Sequence, residues 1–341
     1  MSRLSPRAFI TGCAGTAFSV EEEDFLLDAA PWGLILFRRN IETPAQVADL
    51  VRAFRTLVGR TDAPVLIDQE GGRVQRLGPP HWPKYPPAEV FAHLAESDGQ
   101  ARGAQAARLG ARLMAEDLAA LGINVDCVPC ADLRLPEGHG IIGDRAYGDT
   151  PVQVAALARA AAEGLIAGGV LPVLKHIPGH GRARADSHES LPVVDTPRAV
   201  LEATDFEPFR LLADLPLGMT AHVVYSAIDP DRPATTSKRV IDEVIRGHIG
   251  FDGALMSDDL SMGALAGTLA SRAEASFAAG CDLALHCNGR IEEMREVASS
   301  SPRLEGDAAR RCAAALARLT PVAKIEQTQA RAQFSDMIAA S

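Results

Sequence analysis

The fold class follows from residues 150–176, TPVQVAALARAAAEGLIAGGVLPVLKH. Thr150 followed by Pro151 is a typical helix start, and the alanine-rich segment after it predicts a helix over Pro151–Ala167. The apolar run at 171–176 predicts a short strand that is buried on both faces. A helix that leads into a fully buried strand is the repeating unit of a parallel sheet covered by helices.

The same alternation continues along the rest of the chain. Eight such units in 341 residues favour a single-domain (β/α)8 TIM-type barrel over an open doubly wound sheet. No G-x-G-x-x-G dinucleotide motif follows the first strand. We predict a catalytic barrel over residues 1–320 and a C-terminal helix or tail over 321–341. The predicted strands are 9–12, 33–37, 65–68, 124–128, 171–176, 218–224, 254–257 and 282–286; the predicted helices include 44–57, 100–121, 151–167, 201–212, 238–248 and 268–279.

Composition limits the classes of function. Apolar residues make up 47% of the chain, which is enough to bury a large core. The formal net charge is −10, and the sequence has no run of lysines or arginines, so we expect no nucleic-acid partner. No window offers about eighteen uninterrupted apolar residues, so we expect no membrane span.

Two features favour a cytoplasmic protein. Only three apolar residues, 8–10, separate Arg7 from Thr11, whereas a secretory signal needs an apolar region of roughly 7–15 residues. The six cysteines are scattered without a disulfide framework, and we expect free thiols. Cys127 and Cys130 form a C-x-x-C, but positions i and i+3 of a strand face opposite sides. The pair is therefore not expected to hold one metal ion.

Polar residues stand where several of the predicted strands end. In a (β/α)8 barrel, the active site lies at the C-terminal ends of the strands. Because the strands are parallel, these ends meet at one mouth of the barrel, and we predict the functional site there. The polar residues at the strand ends are Asp68, Asp126, Lys175, His176, His222, Asp258 and His286.

The segment VLIDQEGGRVQRL, residues 65–77, contains Asp68, which is the first of these polar residues at a strand end. Gly71 and Gly72 permit a tight turn and a close approach to a ligand. Arg73 and Arg76 follow this turn. Since carboxylates and guanidinium groups are good partners for polyols, the segment predicts a clamp for several hydroxyl groups. A purely structural ion pair is the alternative.

The segment KHIPGHGRARADSHESLP, residues 175–192, concentrates titratable groups where glycine and proline prevent a regular helix. Asp186 lies two positions before His188, and a nearby carboxylate raises the pKa of an imidazole and suits it to proton transfer near neutral pH. We expect Gly179 and Gly181 to let the loop carry His188 over a bound ligand. In MSDDLS, residues 256–261, Asp258 leaves a rigid strand, as a nucleophile or metal ligand requires.

Three interpretations fit these groups. In a retaining glycosidase, Asp258 would attack an electrophilic carbon while His188 protonates the leaving oxygen. A sugar-binding protein that has lost catalysis is the second. In a metal-dependent hydrolase, the ligands would be His176, His180, His188 and Asp186. Against the metal interpretation, strand one ends in TGCAG and lacks the H-x-H that many metal-dependent barrel hydrolases carry.

Three motifs in order, DQEGGRVQR, KHIPGHG…DSH and SDDLS, resemble glycoside hydrolase family 3. The resemblance covers nearly the whole barrel and is closest to the single-domain bacterial β-N-acetylhexosaminidases of peptidoglycan recycling. It implies that Asp258 is the nucleophile and that His188, assisted by Asp186, is the acid/base. IIGDRAYG, residues 141–148, supplies one more site residue. The residues implied to bind N-acetylglucosamine are Asp68, Arg76, Arg145, Lys175 and His176.

The resemblance also implies a substrate and its partners. The substrate would be N-acetylglucosaminyl-β-1,4-anhydro-N-acetylmuramic acid, with or without its peptide, cleaved with retention of configuration. No metal or organic cofactor is implied, and we expect a monomer. The chain departs from the family at Ile177, where phenylalanine is common, and at Cys127 and Cys130, which replace apolar residues. None of these is a proposed reacting group.

Overall fold

Eight parallel strands close into a barrel in which each strand pairs with its neighbours in the sequence. The computed structural model describes residues 5–187, 189–319 and 325–339. Pairing of the first strand with the last, with Thr11 opposite His286, closes the ring. The predicted (β/α)8 barrel is confirmed. The strands are β1 (Arg7–Thr11), β2 (Pro31–Leu36), β3 (Val65–Ile67), β4 (Val125–Asp126), β5 (Leu171–Ile177), β6 (Leu217–Thr220), β7 (Ala254–Asp259) and β8 (Leu283–His286).

The strands are apolar on both faces because they separate two buried layers. Inside the barrel, each of the eight strands contributes to one apolar cluster, with Ile10, Val173 and Met256 among its members. The alternate residues, such as Phe9 and Leu174, pack outward against the helices in a second cluster. This double burial is the reason why the strands have continuous apolar sequences instead of an alternating pattern.

Helices surround the barrel. α2 begins as predicted, since the Thr43 side chain accepts a hydrogen bond from the backbone N–H of Gln46; Thr150 precedes α5 without a side-chain cap bond. A π-helix covers Val240–His248. The α-helices are α1 (Val20–Ala29), α2 (Pro44–Leu57), α3 (Ala88–Ser97), α4 (Gln100–Ala119), α5 (Pro151–Ala167), α6 (Arg198–Ala203), α7 (Glu207–Leu211), α8 (Leu269–Ala279), α9 (Ile291–Ser300), α10 (Gly306–Leu316) and α11 (Gln327–Ile338).

Three predicted elements differ clearly from the structure. The strand predicted at 124–128 is shorter and covers only Val125–Asp126. The helix predicted at 201–212 is divided into α6 and α7, because Pro208 has no N–H with which to continue a helix from Thr204. The strand predicted at 218–224 stops at Thr220. Val224–Tyr225 instead pairs with Val193–Val194. The two segments form a small parallel sheet that is separate from the barrel. Among the described residues, no helix is both long and apolar enough to cross a bilayer.

The C-terminal helix α11 packs on the outside of the barrel. Its Phe334 ring contacts the rings of Tyr85 and Phe91. Its Arg331 lies 2.6 Å from an Asp117 carboxylate oxygen of α4. The boundary predicted at residue 320 adjoins residues 320–324, which lie outside the described part of the chain. The division into barrel and tail stays a prediction.

Candidate active site

A cavity of about 190 Å³ lies among the carboxyl-terminal ends of the strands. This is the position that the fold predicts for an active site. The cavity contains all five predicted sugar-binding residues together with the predicted nucleophile. Its lining includes Asp68, Arg76, Arg145, Lys175, His176 and Asp258.

The first group of side chains, called the carboxylate cluster, consists of Asp68, Glu70, Arg76, Arg145 and Lys175. The Lys175 Nζ lies 3.0 Å from Asp68 Oδ1 and 2.7 Å from Glu70 Oε1. Arg76 donates to the other Asp68 oxygen at 2.8 Å. Lys175 follows the buried strand β5 and is itself 2% exposed. Its burial is tolerated because two carboxylates face the ammonium group.

The cluster stays ionised near neutral pH. Burial acts to raise the pKa of Asp68, but Lys175 and Arg76 outweigh burial and hold it below its usual range. Burial acts to lower the pKa of Lys175, whereas Asp68 and Glu70 raise it above its usual range. The site therefore presents fixed charges: carboxylate oxygens accept and cationic nitrogens donate hydrogen bonds.

Glu70 is a site residue to which the sequence interpretation gave no role. Arg145 donates to its two carboxylate oxygens from Nε and Nη2, each at 2.8 Å. Burial acts to raise the pKa of Glu70, but Arg145 and Lys175 lower it to about 2. A signal existed in the sequence, because residues 68 and 70 of an extended chain point to the same side.

The second group, called the histidine cluster, consists of Asp132, His176 and His180. Asp132 is fully buried; its carboxylate accepts from His176 Nδ1 at 2.6 Å and from the His180 backbone N–H at 2.6 Å. Burial acts to raise the pKa of Asp132, but His176 lowers it to about 2. Burial, with His176 nearby, lowers the pKa of His180 to about 4. Asp132 was not predicted, since it follows strand β4 in an apolar segment without a motif.

Asp258 stands at the end of β7 and lines the cavity. Its Oδ1 accepts from the backbone N–H of Asp259 at 2.8 Å. The Asp259 side chain accepts from Ser261 N at 3.1 Å and from Cys287 N at 3.2 Å. The Asp259 side chain therefore stabilises the turn after β7 and ties that turn to the chain after β8, and it caps no helix in the described part of the chain.

The predicted acid/base pair lies in the loop after β5. Asp186 is described, and its carbonyl accepts from the backbone N–H groups of Glu189 and Ser190 at 3.0 Å each. Ser187 lines the cavity, and its carbonyl accepts from Ala264 N at 3.2 Å, in the loop after β7. His188 lies outside the described residues. The roles of Asp186 and His188 stay predictions.

Three of the polar strand ends do not line the cavity. The His286 Nε2 lies 2.9 Å from a Glu293 carboxylate oxygen, and the His222 ring lies between Thr235 and the Asp259 carbonyl. Asp126 is fully buried and accepts from Gln69 N at 2.9 Å; burial raises its pKa well above the usual range. These residues support the barrel mouth without contacting its cavity.

The metal-dependent hydrolase interpretation requires its ligands to lie close together. The ligands that the structure describes do not form one such group. Within residues 5–187, 189–319 and 325–339, one group with metal-ligand atoms in mutual reach contains Cys130, Asp132 and His176, and neither His180 nor Asp186 belongs to it. The C-x-x-C pair separates as expected. Cys127 packs in the barrel interior, and Cys130 packs in a small cluster with Ile142 and Ala146.

Comparison with known proteins agrees with this geometry. The family described as "Glycosyl hydrolase family 3 N terminal domain" matches residues 9–320. A β-hexosaminidase of Alkalilimnicola ehrlichii is 43% identical over 284 residues, which are 81% of this chain and 79% of that protein. A β-hexosaminidase of Pseudomonas aeruginosa is 39% identical over 282 residues, 81% of each chain.

A solved structure gives the same result. Native NagZ from Neisseria gonorrhoeae superposes with a TM-score of 0.85 at 33% identity, covering 99% of this chain and 98% of that one. The same neisserial protein has been solved in complex with N-trifluoroacetyl-D-glucosamine. With the barrel and its charged mouth, these similarities establish that the chain belongs to glycoside hydrolase family 3, as a NagZ-like glycoside hydrolase of the β-N-acetylhexosaminidase type.

Proposed function

We propose that the protein is a retaining exo-β-N-acetylglucosaminidase. It removes terminal β-1,4-linked N-acetylglucosamine from peptidoglycan fragments such as the 1,6-anhydro-N-acetylmuramic acid disaccharide and its peptides. One observation carries the proposal: the cavity brings Asp258 together with the carboxylate cluster and His176. The similar neisserial protein has been solved in complex with an N-acylglucosamine, which supports N-acetylglucosamine as the sugar that this chain binds.

The carboxylate cluster binds the sugar hydroxyls in this proposal. Asp68 offers an ionised acceptor, and Arg76 and Lys175 on either side of it offer donors. Because their charges are already paired, these groups need no counter-ion when water leaves the cavity. Arg145, fixed by Glu70, and His176, fixed by Asp132, complete the recognition of the N-acetylglucosamine unit.

Asp258 acts as the nucleophile. Its carboxylate attacks the anomeric carbon, and the bond to the leaving oxygen breaks as His188 donates a proton to that oxygen. Asp186 orients His188 and stabilises its charged form. Water, deprotonated by His188, then attacks the anomeric carbon and releases Asp258. Two displacements at one carbon give net retention.

The same proposal assigns a compartment and an assembly state. The enzyme acts in the cytoplasm on fragments that have been taken up, and it acts as a monomer. The support for the monomer is local: the proposed sugar-binding groups and the nucleophile all belong to one barrel mouth.

The test compares wild type with Asp258→Asn on an aryl β-N-acetylglucosaminide and on the matching β-glucoside, each with and without EDTA. We expect turnover of the N-acetylated substrate alone, no effect of EDTA, and a loss of at least about 10³-fold in kcat for the variant. NMR should show the β-anomer as the first product. An α-anomer would contradict the covalent mechanism, and loss of activity in EDTA would favour the metal-dependent alternative.

A further inference from the structure

Phe37 follows β2 and lines the active-site cavity, where its ring contacts two arginine side chains. The Arg76 Cζ lies 5.2 Å from the ring centroid, and the Arg39 Cζ lies 5.0 Å from the same centroid. A guanidinium within about 6 Å of a ring centroid is attracted by the negative face of the ring. The proposed hydrolysis gives Arg76 a sugar to bind, but it assigns no role to Phe37 or Arg39.

Arg76 needs a restraint that its hydrogen bonds do not supply. Among the described residues, its guanidinium makes one hydrogen bond, from Nη2 to Asp68 Oδ2 at 2.8 Å. Its buried Nε has no hydrogen-bond partner in that part of the chain. A guanidinium presents five N–H donors in one rigid plane, and a single bond at one corner does not fix the orientation of that plane. The contact with the Phe37 ring adds a second restraint.

The turn after β2 fixes the backbone of Phe37. The Phe37 N–H donates to Asn40 Oδ1 at 2.9 Å, and the Phe37 carbonyl accepts from Asn40 N at 2.8 Å. Asn40 is fully buried, and its side-chain amide donates to the Cys13 carbonyl at 3.0 Å. The ring therefore projects from a fixed support at the barrel mouth.

Arg39 connects this turn to two other strand ends. Its Nε donates to the Cys13 carbonyl, after β1, at 2.9 Å, and its Nη2 donates to the Cys287 carbonyl, after β8. Arg39 is not among the described residues that line the cavity. Any effect of Arg39 on a bound sugar is therefore indirect, and its contact with the Phe37 ring offers a route for that effect.

We propose that Phe37, supported by Arg39, is a positioning residue for Arg76. Its ring holds the guanidinium plane in the orientation in which the free N–H groups reach a sugar hydroxyl. Because a contact made away from the reacting carbon is equally strong in the ground state and the transition state, its loss raises KM and leaves kcat nearly unchanged. The effect on KM rests on the proposed sugar-binding role of Arg76, whereas the restraint on its side chain does not.

The first experiment observes the restraint without substrate. The Nε–Hε signals of the arginines are recorded by NMR on ¹⁵N-labelled protein, and the signal that disappears in Arg76→Lys is assigned to Arg76. Burial of this Nε protects its proton from exchange with water. The order parameter of the signal should fall by at least about 0.2 in Phe37→Leu and stay at the wild-type value in Phe37→Tyr, which keeps the ring. Unchanged order in Phe37→Leu would overturn the proposal.

The second experiment measures kcat and KM on an aryl β-N-acetylglucosaminide. Loss of a desolvated contact between a cation and a ring corresponds to about 5- to 30-fold in an equilibrium constant, so Phe37→Leu should raise KM by that factor with a much smaller change in kcat. Phe37→Tyr should restore KM to near the wild-type value. Unchanged KM in a folded Phe37→Leu would overturn the positioning role.

Two neighbouring arginines provide a matched pair of variants. Arg39 and Arg38 are both exposed and belong to the same turn. Arg39→Met should raise KM by a smaller factor than Phe37→Leu, and Arg38→Met should leave KM unchanged. If Phe37→Leu does not fold, this pair still tests the proposal, and equal KM values for the two arginine variants would overturn it.

A double-mutant cycle separates positioning from direct contact, because Phe37 itself lines the cavity. In an Arg76→Met background, Phe37→Leu should add little to the increase in KM. Increases that multiply would show that the ring contacts the sugar directly, and they would overturn the proposal. An unchanged KM in Arg76→Met, or no hydrolysis by the wild type, would instead contradict the proposed function and leave the NMR test of the restraint in place.

Discussion

Lys175 and His176 are neighbours at the end of β5, yet their side chains enter two different clusters. Lys175 enters the carboxylate cluster, where two carboxylates meet three cations that are charged at any ordinary pH. His176 enters the histidine cluster, where one carboxylate holds two imidazole-bearing residues. The first cluster is therefore insensitive to pH near neutrality, whereas the second contains a buried imidazole, His180, whose pKa burial lowers to about 4.

The difference shows that two adjacent residues of one strand end can enter clusters of different chemical character. Fixed charges suit sugar recognition, because hydroxyl groups need donors and acceptors that do not change. Titratable groups suit a site whose state depends on its surroundings. Both side chains line the same cavity, and a different carboxylate fixes each of them: Asp68 pairs with Lys175, and Asp132 pairs with His176.

The largest effect is expected from Lys175→Met. Removing the ammonium leaves Asp68 and Glu70 buried together without their shared cation, and breaking a buried ion pair in this way costs about 3–5 kcal/mol of the free energy of unfolding. Urea unfolding measures the loss, and hydrolysis should be undetectable. A stable variant that keeps activity would show that the carboxylates do not depend on Lys175.

The next effect is on pH dependence and isolates the histidine cluster. Burial, with His176 nearby, lowers the pKa of His180 from 6.5 to about 4. Between these two pH values the folded state binds fewer protons than the unfolded state. The contribution of His180 to the free energy of unfolding is therefore complete above pH 6.5 and is lost as the pH falls toward about 4. Over that window wild type should lose as much as about 3 kcal/mol that His180→Gln does not lose.

Urea unfolding at several pH values tests this difference. Burial also lowers the pKa of His222, so wild type and variant share that part of the slope, and only their difference reports on His180. Glu70→Gln is the matched control: the Glu70 pKa is lowered from 4.5 to about 2, so its contribution to stability is lost only as the pH falls below about 5, and the slope between pH 5 and 6.5 should match that of wild type. Parallel curves for wild type and His180→Gln would contradict the assignment.

The smallest effect is expected from Glu70→Gln itself. The variant keeps the shape of the side chain but loses one charge against Arg145 and Lys175, while Asp68 still pairs with Lys175. We expect a loss of about 1.5–3 kcal/mol, the usual value of hydrogen bonds to charged groups, and an increase in KM larger than the decrease in kcat. A fall in kcat alone would place Glu70 in the chemical step.

The fold could be predicted because its strands are buried on both faces and alternate with helices. The motifs that resemble glycoside hydrolase family 3 predicted six residues that the structure places around one cavity: Asp68, Arg76, Arg145, Lys175, His176 and Asp258. Their roles in sugar binding and catalysis stay predictions. Glu70 was missed although its two-residue spacing from Asp68 offered a signal. Asp132 was missed because its role depends on a partner distant in sequence, His176, and short-range patterns carry no information about such a pair.

The two glycines of the loop after β5 also have a packing role. We expected Gly179 and Gly181 to let the loop carry His188 over a bound ligand, and that movement stays a prediction. A Cβ at Gly181 would lie 2.3 Å from the Leu133 carbonyl, and one at Gly179 would lie 2.9 Å from the Asp205 carbonyl. The glycines thus permit close packing at the start of the loop, and a valine at either position would destabilise the fold before it affected any movement.

The position of α11 has a consequence for handling the protein. Arg331 donates to the Tyr85 hydroxyl at 3.1 Å, and the Tyr85 carbonyl accepts from Gly72 N at 2.9 Å, in the turn that follows Glu70. The carboxyl-terminal helix is therefore joined to the substrate pocket through a single residue. Deletion of α11 would therefore also perturb the turn that follows Glu70, whereas Arg7, at which β1 begins, lies at the opposite end of the barrel strands from the cavity.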